Sequence, residues 1–136
     1  MKTSTVIYKG DLRCQLTHER SAQSFITDAP PDNQGKGEAF SPTDLLSTSL
    51  AACMFTIMGI YARNKGISIE GSEAIVTKRM SAEAPRRVAG IEIEFTIKLK
   101  GGDAHTQEAL IRSAKTCPVA LSLSPEIEQK INFTFV

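Results

Sequence analysis

Between Leu45 and Ala62 the chain runs for 18 residues without a charged side chain, and no other stretch constrains its fold so strongly. Ser41-Pro42-Thr43-Asp44 leads into it with a capping hydroxyl, a proline at the first helical position where its missing N–H costs nothing, and an acid near the positive end of the helix dipole. Arg63 and Lys65 sit where cations suit a last turn, and Gly66 can close it. One helix from about Pro42 to Lys65 is predicted. A run of about 18 residues is long enough to raise the question of a membrane span. Ser47, Thr48, Ser49 and Thr56 interrupt it and amphipathic strands flank it, so it reads as the buried core helix of a soluble protein with no membrane partner. A helix apolar nearly all round needs cover on more than one side, which a second copy of the chain would supply; a homodimer is expected.

The flanking sequence alternates in the period of strands. Val6 and Tyr8, then Leu12, Cys14 and Leu16, lie either side of Lys9-Gly10-Asp11 and predict a hairpin with one face buried. Residues 23–28 form a third strand, and the breaker-rich run 29–38 an exposed loop without an element of its own. Beyond the helix, strands are expected over 67–80 and 88–100, the second with Ile91, Ile93, Phe95, Ile97 and Leu99 on one face. A helix from about Ala104 to Lys115 with Leu110, Ile111 and Ala114 as its apolar stripe follows, then a short helix from Pro118 through Leu123, and a closing strand on Ile131, Phe133 and Phe135. Grouped strands rather than strict alternation indicate an α+β fold with antiparallel sheets around a long central helix, in a single domain over 1–136.

Sixteen basic and fifteen acidic residues, spread evenly for a net charge of +1, leave no footprint for nucleic acid. The N-terminal run Met1–Tyr8 does not have the shape of a secretory signal, and a cytoplasmic location is expected. Isolated His18 and His105 and three scattered cysteines do not make a metal site. No glycine run has the spacing of a phosphate loop, and there is no nucleophile elbow; no cofactor is implied.

What remains is sulfur. Cys53 lies within the uncharged helix among small neighbours, Ala51 and Ala52. It is either a small core hydrophobe or a reactive thiol, and the second needs a nearby cation because burial alone suppresses the thiolate. Cys117, directly before Pro118, can occupy the N-cap of the short helix, where N–H groups and the dipole favour thiolate; a plain cap or core role is the alternative. Cys14, on the inward strand face, reads as core.

The string Phe40-Ser41-Pro42-Thr43-Asp44-Leu45-Leu46, followed by Ala51-Ala52-Cys53 and then Cys117-Pro118-Val119 and Leu121, resembles the OsmC/Ohr family of thiol-dependent hydroperoxide reductases over nearly the whole chain. Glu83-Ala84-Pro85-Arg86 before a long amphipathic strand is similar to the OsmC-like branch that includes YhfA-type proteins. The resemblance implies an OsmC-like fold and an intertwined homodimer, with two active sites at the subunit interface. It implies Cys53 as peroxidatic thiol and Cys117 as resolving thiol, organic hydroperoxides as substrates in an apolar site beside Met54, Phe55 and Ile57, and a dithiol reductant, a part played by lipoyl groups in the Ohr branch. The family's hydroperoxidases carry Glu after the proline of the helix start, where this chain has Thr43, with Asp44 one place later. They also use an Arg from the N-terminal strands to stabilise the thiolate, and Arg13 and Arg20 both match it. A second reading keeps the fold and the pocket in a dimeric protein that binds a small apolar ligand without turnover.

Overall fold

The computed structural model describes all residues, 1–136, and the chain divides into two compact units, Met1–Leu46 and Ser47–Val136. The first is an antiparallel meander of β1 (Ser4–Gly10), β2 (Arg13–His18) and β3 (Ser24–Asp28), in that order. The β1–β2 turn differs from the expected one. Asp11 and Leu12 are its two central residues, both at positive φ (53° and 62°), the mark of the primed turns whose twist matches that of a hairpin. Leu12 therefore sits exposed in the turn instead of on the inward face with Cys14 and Leu16, which are half-buried on β2. Val6 and Tyr8 remain 58% and 63% exposed, so the expected buried face of β1 is not formed within this chain. The unit holds one sheet with no second sheet of its own to cover it.

The run after β3 was expected to hold no element, yet Pro31–Asn33 forms one short 3-10 turn. The loop folds back tightly: the N–H of Gly35 reaches Pro30 O at 3.0 Å and that of Gly37 reaches Ala29 O at 3.1 Å. A Cβ on Gly35 would lie 1.8 Å from Ala29 O, so only glycine permits this approach.

Helix α1 (Pro42–Asn64) starts and stops on local chemistry. Ser41 Oγ accepts from the Asp44 N–H at 3.0 Å while Asp44 Oδ2 accepts from the Ser41 N–H at 3.0 Å, a reciprocal capping box. At the far end Gly66, at φ +69°, closes a Schellman motif in which the Ile67 N–H reaches Ala62 O (3.0 Å) and the Gly66 N–H reaches Arg63 O (3.2 Å). The helix is long and apolar enough to cross a membrane by length and composition. Here Ser47, Leu50, Ala51, Met54, Met58 and Ala62 form a single buried stripe along it, the pattern of a core helix. Leu46 and Ile60, off that stripe, are exposed.

The second unit lays that stripe against a sheet of β4 (Glu73–Met80), β5 (Val88–Ile97) and β6 (Glu128–Phe135), with β5 in the middle. The strand expected from Ile67 begins only at Glu73, because Ile69 and Ser72 close a turn (Ser72 N–H to Ile69 O, 3.1 Å) and Ser68 makes only an isolated bridge to Lys100. Ile91, Ile93, Phe95 and Ile97 are buried as the alternation predicts. Phe95 takes the edge of Phe55 at 4.9 Å and stacks on Phe133 at 5.1 Å, joining helix, central strand and β6. The sheets are not antiparallel throughout: β4 pairs antiparallel with β5, but β6 pairs parallel to it. A parallel neighbour needs a crossover connection, which here contains helices α2 (Ala104–Ala114) and α3 (Pro118–Ser122). Asp103 caps α2, its carboxylate accepting from the Thr106 N–H at 3.0 Å, and Leu110 and Ala114 are its fully buried residues.

A candidate thiol site and an arginine held by two carboxylates

Cys53 and Cys117 come together in the second unit. Cys53 lies on α1 at the edge of the buried stripe, about 60° round the helix from Leu50 at roughly 100° per residue, and it is half-buried. Cys117 is fully buried at the N-cap of α3, its sulfur accepting from the Ala120 N–H at 3.3 Å. The Cys117 thiol neighbours the Cys53 thiol closely enough for the two to interact, and both cysteines are free. The N-cap position matches the sequence reading, while its electrostatic consequence does not. Burial pushes the Cys117 thiol up; the N–H groups of Ala120 and Val119 pull it down, and the neighbouring Cys53 sulfur adds to the rise. The net direction is upward, so Cys117 is held as a protonated thiol beside Cys53.

Around Cys53, Ile57 is one turn on, on the same side of the helix and half-buried. Met54 belongs to the core, 1% exposed. Phe55 points about 200° away from Cys53 and packs on Phe95. Asp44 serves the Ser41 cap, and Thr43 Oγ1 lies 3.2 Å from Ser41 Oγ. Cys14 stays in the first unit, on β2 opposite Tyr8 and Thr27.

The two candidate arginines differ sharply. Arg20 is exposed in the β2–β3 turn. Arg13 faces Asp28 directly across the β2–β3 ladder, and its guanidinium grips that carboxylate with Nε to Oδ1 at 2.7 Å and Nη2 to Oδ2 at 2.8 Å. Glu38, brought back by the folded loop, accepts a further bond from Nη2 at 3.0 Å. Asp28 is 1% exposed, and its Oδ2 also accepts the Glu38 N–H at 3.1 Å. Arg13 holds the Asp28 carboxyl below the usual range against the opposing effect of burial, and Asp28 in turn keeps the guanidinium charged. Asp28 and Glu38 were absent from the sequence reading. The signal was available for Asp28, since pairing the expected third strand with the second sets it opposite Arg13; nothing local marked Glu38, which stands in a run of turn residues.

A family model described as OsmC-like protein matches residues 35–132. Among solved structures, the chain is similar to a Psychrobacter arcticus 273-4 protein assigned, but not shown, to be an osmotic stress induced and detoxification response protein: 54% identity over 98% of this chain and 96% of that one, with a TM-score of 0.93. An OsmC-like protein from Mycoplasma pneumoniae superposes with a TM-score of 0.77 at 20% identity, over 100% and 98% of the two chains. An organic hydroperoxide resistance protein OsmC from Legionella pneumophila does so at 0.75 and 19%, over 98% of each. The last two likenesses speak to fold alone. No curated protein matches the chain.

Proposed function

The chain belongs to the OsmC-like family, and from that premise we propose that it is a thiol-dependent peroxidase that reduces organic hydroperoxides, with Cys53 as the attacking and Cys117 as the resolving cysteine. The observation that carries the reading is that two free thiols 64 positions apart in the sequence are brought together as interacting neighbours.

The Cys53 thiolate attacks the outer peroxide oxygen; an S–O bond forms, the O–O bond breaks, and the alkoxide takes up a proton to leave as alcohol. Cys53 is then a sulfenic acid. Cys117 attacks its sulfur, the S–S bond forms, and the Cys117 proton departs with the hydroxyl as water. The raised Cys117 thiol suits this order, since it keeps its proton until that step. A dithiol reduces the disulfide by exchange, restoring both thiols. The family resemblance implies an arginine of the N-terminal strands as the thiolate's cation, and of the two candidates Arg13 is held in place by Asp28 while Arg20 is exposed. Ile57, beside Cys53, favours an apolar peroxide. The exposed apolar residues Val6, Tyr8 and Phe25 on the first sheet and Ile60 on α1 support a homodimer, and three free cysteines suit the reducing cytoplasm.

Thiol titration after one equivalent of cumene hydroperoxide, set beside hydrogen peroxide, tests the reading. Rapid loss of two thiols per chain with cumene hydroperoxide, and slower loss with hydrogen peroxide, is expected. Retention of all three thiols would overturn it in favour of a dimer that binds an apolar ligand without turnover.

A further inference from the structure

The inner face of β6 carries Ile131, Phe133 and Phe135, which pack on the core, and at its head a polar residue, Gln129. The Gln129 side-chain amide donates through Nε2 to Ala120 O on α3 at 3.1 Å, and the Ala120 N–H donates in turn to Cys117 Sγ at 3.3 Å. We propose that Gln129 is a positioning residue: by holding Ala120 from the sheet it fixes the direction of the Cys117 sulfur, and so sets how readily that sulfur closes a disulfide with Cys53. The proposal rests on the reading above for the origin of the Cys53 sulfenic acid, and on the second unit's own geometry for everything else.

Helix α3 needs such a tether. At five residues it is too short to hold its own shape in water. Its bonds from Leu121 N–H to Cys117 O (3.2 Å), Leu123 N–H to Val119 O (3.2 Å) and Ser122 Oγ to Pro118 O (2.7 Å) all run along the turn itself. The backbone of Cys117 is fixed from the other side, its N–H donating at 3.2 Å to the carbonyl of the fully buried Ala114 on α2. That bond leaves the side chain a choice of staggered positions, and the Ala120 N–H favours one of them. It can do so only while Ala120 stays in place. Gln129 supplies a bond from outside the helix, and a carbonyl oxygen that can only accept requires the amide to present its NH2. The base of the tether is firm, because Gln129 stands opposite Ile91 in the β5–β6 ladder and Ile91 is 1% exposed. A sulfur held in one direction spends more of its time aligned for attack, which is what speeds an intramolecular step.

The test compares the full-length parent with Gln129→Met, which keeps the length of the side chain without a donor, and Gln129→Glu, which turns a carboxylate toward the Ala120 carbonyl. Two oxidations are followed by peptide mass mapping. Oxidised glutathione forms a mixed disulfide at Cys53, the less buried of the two thiols, and releases one glutathione thiolate; Cys117 then attacks the Cys53 sulfur, closing the protein disulfide and releasing the second glutathione. One equivalent of cumene hydroperoxide forms the Cys53 sulfenic acid, and Cys117 closes the same disulfide with loss of water, the lifetime of the sulfenic acid being read by dimedone trapping. Both variants are expected to slow closure about 3- to 10-fold on either route, the worth of one hydrogen bond. The first step, mixed disulfide or sulfenic acid, is expected to stay within twofold of the parent. General loosening of the fold does not produce that split. Closure within twofold of the parent, or an equal change in both steps, would overturn the proposal. If one variant does not fold the other decides, and failure of both would overturn the proposal as well, as the mark of a structural residue. A parent inert to cumene hydroperoxide, with glutathione-driven closure still slowed in the variants, would sink the functional reading alone; unchanged closure there would sink both.

Discussion

Replacing the two cysteines one at a time separates the roles assigned to them, provided the variants fold. For Cys117→Ala the structure sets the cost. The lost sulfur accepts the Ala120 N–H at the start of α3, a cap whose removal costs about 1 kcal/mol. It is also fully buried, and removing one such heavy atom from the core costs about 1 kcal/mol more. The sum of about 2 kcal/mol lies well inside the roughly 5–15 kcal/mol typical of a domain, so the variant stays folded. Cys117→Ser keeps a cap acceptor but buries a hydroxyl, at about 1–3 kcal/mol if its proton finds no partner. The two substitutions therefore bracket the stability effect with different side-chain chemistry. The assay is a single turnover with one equivalent of cumene hydroperoxide, with the sulfenic acid trapped by dimedone, followed by steady-state reduction with a dithiol. Both Cys117 variants should undergo a single oxidation at Cys53 and then stall, while Cys53→Ser should show no oxidation at all, since only the attacking sulfur is needed to cleave the O–O bond. Loss of the single turnover in the Cys117 variants as complete as in Cys53→Ser would refute the assignment.

The exposed apolar residues of the first sheet predict a homodimer burying more than about 2,000 Å² in total, and sedimentation showing a folded monomer at micromolar concentration would contradict it. Phe95→Ala should destabilise the chain by about 3–5 kcal/mol in urea unfolding, because its ring is 1% exposed and contacts both Phe55 and Phe133. Because Cys117 is raised in the folded protein, the stability it contributes is complete below the ordinary thiol value of about 8.5 and is lost as pH rises through its raised value. Urea unfolding of the parent should therefore weaken above about pH 8.5 more steeply than that of Cys117→Ala, and parallel slopes would show the thiol is not buried as described.

The second unit was more legible in the sequence than the first, for physical reasons. The strict alternation of Ile91 to Ile97 has one solution when a face must be buried, and the helix end at Gly66 is set by chemistry within a few residues. The direction of β6 is carried by no residue in it; it depends on how the connection after β5 travels, here as a crossover through two helices. Leu12 was misplaced because alternation was read through the turn, although the pairing of Gly10 with Arg13 leaves it a central turn position. At the site, Cys117 was found at its cap, but local sequence speaks for the helix end and not for the desolvation that prevails there. Asp28 and Glu38 escaped because their importance arises from a cross-strand pairing and a loop return, relations that a linear pattern does not display.

The parallel pairing of β6 with β5 also sets a timetable for the protein's birth. β5 is complete at Ile97, but its second neighbour is not complete until Phe135, 38 residues later. At a synthesis rate of about 5–20 residues per second, the nascent chain spends roughly 2–8 s with one side of β5 unpaired and Phe95 without the Phe133 ring that stacks on it. An open strand edge rich in isoleucine and phenylalanine is a template for pairing with other chains. Folding of this unit therefore finishes only after β6 has cleared the ribosome, and the interval before that is when a chaperone that shields apolar strands would be of most use to it.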